Sequence, residues 1–237
     1  MNKIEICLTP KLFDQYNVGD KIVVIVDILR ATTIIITMFH SGLGKLIPVK
    51  SLEEAKAYKM NGYLVAAERD GKKVDFADFG NSPFEFTPNK IKDRTLVYSS
   101  TNGTNTINLA KKSNQVIIAS FLNLSSVAKY LKDQNKDILI LCSGWMDDFC
   151  SEDFLFAGAL SQMLLVSDRF NFESDSVQAS IDLWDFANNN LSNYIKTIHQ
   201  YKRLVKFGFK EIVEYCFRLD LTKVIPVLEK DYLIELQ

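Results

Sequence analysis

Residues 21–36 read KIVVIVDILRATTIII, Lys21 to Ile36. The five residues Ile22 to Val26 are all β-branched and apolar. An unbroken apolar run of this length describes a strand covered on both faces, the kind found in parallel sheets, rather than a half-exposed strand with alternating polarity. The run stops at an acid, Asp27, with Arg30 just beyond, and an apolar helix-like segment follows. Bland turn residues usually end such runs. A carboxylate and a guanidinium at the end of a buried strand mark an address for something charged.

Working outward, similar Val- and Ile-rich runs recur at Leu46–Val49, Tyr63–Ala67, Leu96–Tyr98, Gln115–Ala119 and Ile138–Leu141. Helix-like stretches lie between several of them. SLEEAKAYKMNG (51–62) has serine at a cap position, acids in its first turn and glycine after its end, and NLSSVAKYLKD (123–133) is comparable. Strands alternating with helices predict an α/β fold with a mixed, largely parallel sheet flanked by helices. From about Ser151 the texture turns helical, through SEDFLFAGALSQMLL (151–165) and the amphipathic stretch 176–208. The last apolar piece, LTKVIPVLEKDYLIEL (221–236), is read as returning to the sheet. No repeat or linker marks a boundary, so one unit over 1–237 is expected, with an α/β core to about 150 and a helix-rich part from about 151.

Composition narrows the function. The formal net charge of −1 lacks the basic excess of nonspecific nucleic-acid binders, so no nucleic-acid partner is expected. MNKIEICLTP carries no signal-peptide core and no apolar run approaches a membrane span, which predicts a cytoplasmic protein with no membrane partner. Four cysteines without a CxxC pair, and only two histidines, argue against both a disulfide framework and a zinc site. Any metal should be a hard cation on oxygen ligands.

Ligands of open parallel sheets collect outside the carboxyl ends of strands. There this chain is polar five times over. Asp27 and Arg30 follow the first run; Glu68, Arg69, Asp75, Asp78, Asn81 and Ser82 follow the third; SSTNGTN (99–105), with Asn102, Gly103 and Thr104, follows the fourth. Ser120 and Asn123 follow the fifth, and CSGWMDDFCSED (142–153), ending in Asp153, the sixth. Carboxylates can converge on Mg²⁺, the glycine-containing turn can open a helix toward an anion, and arginine can grip a phosphate with paired hydrogen bonds. Taken singly, these residues are ordinary caps and turns; their recurrence at five strand ends points to a metal-assisted phosphate-handling site. GxxxxGK[ST], GxGxxG, GxSxG and HExxH are all missing from the chain, which removes the P-loop, Rossmann, serine-hydrolase and zincin readings.

In order, VDILRATT (26–33), ERDGKKVDFADFGNSPFEF (68–86), SSTNGT (99–104), ASFLN (119–123), CSGWMDDFCSEDFLFAGAL (142–160) and GFKEIVEYCFRLDLTKVIPVL (208–228) resemble the motifs of the 2-phosphosulfolactate phosphatase, or ComB, family. The chain departs from the family pattern at Phe76–Ala77, where Gly-Phe is usual, at Ser99–Ser100, where Thr-Thr is usual, and at Ser143, where alanine is usual. The resemblance implies a family-specific ComB-like α/β fold and a Mg²⁺-dependent acid phosphatase converting 2-phosphosulfolactate to sulfolactate and phosphate, a step of coenzyme M biosynthesis. It carries over the acids Asp27, Glu68, Asp78 and Asp153, with Arg30, Asn81, Asn102 and Thr104 as polar companions; joined to the strand-end reading, this gives the expectation of Asp27, Arg30 and Asp153 as catalytic, Asp27, Glu68, Asp78 and Asp153 as metal ligands, and Arg30, Arg69, Asn81, Ser82, Asn102, Gly103, Thr104 and Asn123 as substrate contacts. The expected partner is a small phosphorylated, sulfonated acid, and a homodimer is expected only because closed two-fold assemblies are the commonest soluble oligomers. Three alternatives stay open: another phosphorylated hydroxy acid as substrate, an aspartyl-phosphate at Asp27, and a binding protein that turns nothing over.

Overall fold

The computed structural model describes residues 1–69 and 71–237. Its elements run β1 (Asn2–Cys7), β2 (Ile22–Val26), α1 (Ala31–His40), β3 (Lys45–Pro48), α2 (Leu52–Met60), β4 (Leu64–Arg69), β5 (Lys72–Lys73), α3 (Pro88–Ile91), β6 (Thr95–Ser99), α4 (Gly103–Ala110) and β7 (Gln115–Ala119). The remainder comprises α5 (Leu124–Gln134), β8 (Ile138–Cys142), α6 (Ser151–Leu165), β9 (Phe170–Asn171), α7 (Asp175–Asn188), α8 (Leu191–Tyr194), α9 (His199–Lys206), α10 (Lys210–Cys216), β10 (Pro226–Glu229) and β11 (Tyr232–Glu235).

Every strand expected from an apolar run forms, with bounds shifted by a residue or two. β2 lies between β7 and β8, parallel to both. Its unbroken apolar character has a direct cause: Ile22, Val24 and Val26 face one core and Val23 and Ile25 another. β1 carries no such run. Its sequence NKIEIC alternates, burying Ile4 and Ile6 while Glu5 stays partly exposed, so its signal is weak. The helix cap at Ser51 forms as expected, its side chain accepting from Glu54 N–H at 3.1 Å.

The strand order is β5-β4-β6-β3-β11-β10-β7-β2-β8-β1-β9. β7, β2, β8, β1 and β9 form one parallel block, and β3, β6 and β4 another. The C-terminal hairpin β10–β11 returns to the sheet between them, antiparallel to β7 on one side and to β3 on the other. Three antiparallel steps in succession reverse the sense, so the two blocks run oppositely along the sheet. In a flat sheet their carboxyl ends would lie on opposite edges. Residues following β2, β8, β4 and β6 nevertheless line one cleft. The sheet therefore turns strongly through the hairpin, which is joined outward by one register pair on each side, Val227↔Ile117 and Leu233↔Leu46.

α1 is apolar nearly all round and buried from Ala31 to Phe39, as such a helix must be. It contacts α4, which follows β6 in the other block. α6 is equally buried and crosses α7 at Gly158, where an added Cβ would lie 1.9 Å from the Ser180 carbonyl oxygen. Only glycine allows that approach. No helix among the described residues is long and apolar enough to cross a membrane.

Candidate active site

Asp27 directly follows β2 and is only 7% exposed. Its backbone N–H donates to Thr32 Oγ1 at 3.0 Å, and that hydroxyl donates back to Asp27 O at 3.0 Å. Its Oδ1 accepts the Ala31 N–H at 3.1 Å, so one carboxylate oxygen caps the first turn of α1. Oδ2 accepts no hydrogen bond from the described residues and lies over Gly103, where an added Cβ would be 2.9 Å from it and 2.3 Å from Ala31 Cβ. The first turns of α1 and α4 thus abut around one carboxylate, and glycine at 103 permits it.

Two further expected acids reach the same place. Asp153 accepts Ile28 N–H at 2.9 Å and Gly144 N–H at 3.1 Å, tying the loop after β2 to the loop after β8. Glu68 accepts Gly71 N–H at 2.9 Å and both the N–H and hydroxyl of Thr101 at 3.0 Å, tying the loop after β4 to that after β6. These carboxylates use their oxygens to hold loops. Glu152, the neighbour of Asp153 in the first turn of α6, is 2% exposed and its Oε2 has no hydrogen-bond partner among the described residues.

Of the residues expected to touch substrate, Arg30, Asn81 and Asn102 line the cleft. The Arg30 guanidinium lies 5.0 Å from the Phe209 ring centroid and donates weakly to Gly71 O at 3.4 Å. Asn81 Oδ1 accepts the Tyr98 hydroxyl at 2.7 Å, and Asn102 Nδ2 donates to Gly144 O at 3.3 Å.

Other expected site residues lie outside the lining of this cleft. Asp78 pairs with Lys59 at 2.6 Å and accepts Val65 N–H at 2.9 Å, which makes it a brace for β4 and not part of the acid cluster. Asn123 is fully buried, accepting Ser120 N–H at 3.0 Å and donating to Val224 O at 2.9 Å, so it fixes a turn and the approach to the C-terminal hairpin. Thr104 exchanges hydrogen bonds with Ser100 and is fully buried, a cap for α4. Ser82 opens the short turn Pro83–Glu85, and Arg69 donates to Ser99 Oγ at 3.2 Å; neither lines the cleft. Gly103 contributes by having no side chain. Conversely, Trp145 and Arg203 do line the cleft, and sequence reasoning passed both over. In α9 the stretch HQYKRLVK reads as an amphipathic helix whose basic residues face solvent, and no local signal separates Arg203 from Lys202.

The acids are buried together, and their protonation responds. Burial raises the Asp27 carboxyl to about 6, with the Ala31 amide opposing, the Glu68 charge adding and Arg30 opposing. Burial raises Glu152 to about 7, and Asp27 adds to that. Asp153 is pushed well above the carboxylate range by burial and by the charges of Asp27 and Glu152. Among the described residues, no group of three or more His, Cys, Asp or Glu side chains is set for a metal ion. Of the four acids expected to ligate one, Asp27, Glu68 and Asp153 are electrostatically coupled, while Asp78 is paired with Lys59.

Raised carboxyl groups bind protons more tightly in the folded than in the unfolded state, so their contribution to stability is complete below the unfolded values and is lost as pH rises toward the folded ones. In the presence of a chelator, the unfolding midpoint should fall between pH 4.5 and pH 7.5, a window spanning the values of about 6 for Asp27 and about 7 for Glu152. Glu152→Gln should remove up to about 3 kcal/mol of that loss. Thermal unfolding of both proteins at the two pH values checks this; an identical pH dependence in the variant counts against an uncompensated Glu152.

Comparison with known proteins bears on this geometry. The model of the family described as 2-phosphosulpholactate phosphatase matches residues 7–231. A protein of Thermotoga petrophila is 40% identical over 86% of this chain and 88% of its own length. One from Caldanaerobacter subterraneus subsp. tengcongensis is 35% identical over 89% of this chain and 88% of its own, and one from Clostridium botulinum is 29% identical over 99% and 100%. All three carry the name probable 2-phosphosulfolactate phosphatase.

Proposed function

Because this chain belongs to the 2-phosphosulfolactate phosphatase family, we propose that it hydrolyses the phosphate monoester of 2-phosphosulfolactate to sulfolactate and phosphate, with Mg²⁺ as cofactor. The observation that carries the reading is Asp27: a buried carboxylate with one oxygen fixed on α1 and the other uncommitted, where two helix N-termini abut beside Arg30.

The residues present suit the cation. Mg²⁺ prefers hard oxygens and usually keeps waters and substrate phosphate oxygens beside one or two carboxylates. Asp27 Oδ2 and Glu152 Oε2, which has no hydrogen-bond partner among the described residues, are such donors and would hold it, and a cation would relieve the repulsion among the coupled buried acids. When bound, Mg²⁺ supplies charge neutralisation at the phosphoryl oxygens and acidifies a water.

The rest of the work falls to the chain. Arg30 makes no ion pair with a carboxylate among the described residues, which leaves its fork for two phosphoryl oxygens. The N–H groups of Asn102 and Gly103 find no acceptor among the described residues, and the positive end of α4 adds to them, so the charge that grows in the transition state meets donors already in place. Glu68 and Asp153 keep the four loops in register. Water oxygen then bonds to phosphorus as the ester P–O bond breaks, and the departing oxygen takes a proton. Phosphoryl transfer depends chiefly on such positioning and electrostatics.

Phosphate release from racemic 2-phosphosulfolactate, with Mg²⁺ and with excess chelator, tests the reading beside p-nitrophenyl phosphate. Release that prefers the sulfolactate ester and falls about 100-fold or more on chelation is the expected result. Thermal stabilisation by the ester without any release would replace the enzyme by a binding protein.

A further inference from the structure

The cleft carries a second guanidinium that this reading of the chemistry leaves unused. Arg203, from α9, lies half-buried on the cleft wall, its Cζ 4.1 Å from the Trp145 ring centroid and 5.7 Å from that of Phe207. Its one hydrogen bond to a described residue runs from Nη1 to Gln200 Oε1 at 3.2 Å, and it pairs with no carboxylate among the described residues. Trp145 is itself fixed: its backbone N–H and carbonyl exchange 3.0 Å hydrogen bonds with those of Asp148, and the preceding Gly144 is bonded to both Asp153 and Asn102. Stacking on an ordered indole holds a guanidinium flat while leaving most of its N–H donors for a ligand.

We propose that Arg203 selects the substrate by binding an acid group that does not react. This rests on the phosphatase reading above. The two arginines of the cleft differ in surroundings. Arg30 sits at the head of α1, beside the buried Asp27 and over the Phe209 ring, whereas Arg203 comes from α9 and is stacked on Trp145. A single phosphate needs only one such fork beside the α4 amides. A second, stacked and lacking a carboxylate partner, matches a ligand with a second anionic group, and 2-phosphosulfolactate offers a carboxylate and a sulfonate beyond the ester. Arg203 is therefore a specificity residue, and Trp145 is the positioning residue that holds it.

The test compares kcat/KM for 2-phosphosulfolactate, for 2-phospholactate, which keeps the carboxylate and lacks the sulfonate, and for p-nitrophenyl phosphate, which has neither. In Arg203→Met the ratio of the first to the last should fall about 10- to 100-fold, mainly through a raised KM, as expected for a contact made equally in ground and transition states. If 2-phospholactate falls with the sulfonated ester, Arg203 binds the carboxylate; if the sulfonated ester falls alone, it binds the sulfonate. Trp145→Leu should lower the same ratio by a smaller factor. An unchanged ratio, or an equal loss on all three substrates, overturns the assignment while leaving the phosphatase in place. Wild-type protein that releases no phosphate from 2-phosphosulfolactate overturns both readings. Should the methionine variant unfold, Arg203→Lys carries the same test: lysine keeps the charge and cannot offer a paired fork, so the ratio should still drop.

Discussion

Asp27→Asn is expected to fold at least as stably as the wild type and to lose about three orders of magnitude in kcat. The argument is atom by atom. Asparagine keeps an oxygen that accepts the Ala31 N–H, so the cap on α1 survives. Its amide nitrogen replaces Oδ2, the oxygen with no hydrogen bond from the described residues, and carries neither charge nor a lone pair for a cation. Removing a negative charge whose field reaches Glu68, Glu152 and Asp153 relieves repulsion and raises stability at neutral pH. Phosphate release and thermal unfolding on the same preparation therefore move in opposite directions. Turnover near the wild-type level would remove Asp27 from the centre of the chemistry.

Gly103→Ala should be nearly as damaging to activity by another route. An added Cβ would lie 2.3 Å from Ala31 Cβ, which is fixed to the α1 backbone, and 2.9 Å from Asp27 Oδ2, whose carboxylate is tethered through Oδ1 to the Ala31 N–H. α1 and α4 must separate. Overfilling a close contact typically costs about 1–3 kcal/mol, and displacing reacting groups by about 1 Å can cost about 100-fold in rate. The shift also moves the Asn102 and Gly103 amides away from Asp27, so kcat falls on every substrate, p-nitrophenyl phosphate included. That pattern separates it from Arg203→Met, whose loss should depend on the acid groups beyond the ester. An alanine variant with wild-type kcat would show that the two helix ends can part without consequence.

Much of the site was legible because its signals are local. Asp27 and Arg30 stand where a run of five β-branched residues ends, and a run that long admits a strand with two covered faces and little else. Glu68 ends β4 and Asn102 follows β6, and both line the cleft, while Asp153 in the first turn of α6 bonds the loop after β2. What the pattern could not separate was a residue serving a ligand from one serving the backbone. Asp78, Thr104 and Asn123 occupy the same kind of position and turn inward to brace a strand, cap a helix and fix a turn. Short polar side chains are chosen at strand ends for both purposes, and only partners in space tell them apart.

The amino-acid order by itself determined the strands that are apolar runs, the helices between them and the placing of acids, an arginine and amides at the strand ends, because burial period and turn chemistry act over a few residues. The tertiary structure alone decided that two parallel blocks of opposite sense would bring their carboxyl ends to one cleft. That outcome depends on a hairpin from the last residues of the chain inserting between β7 and β3. It also decided that Arg203 would meet Trp145, which lies 58 positions earlier in the numbering. Neither has a local signal, since each is settled by which apolar faces find one another once the whole chain is compact.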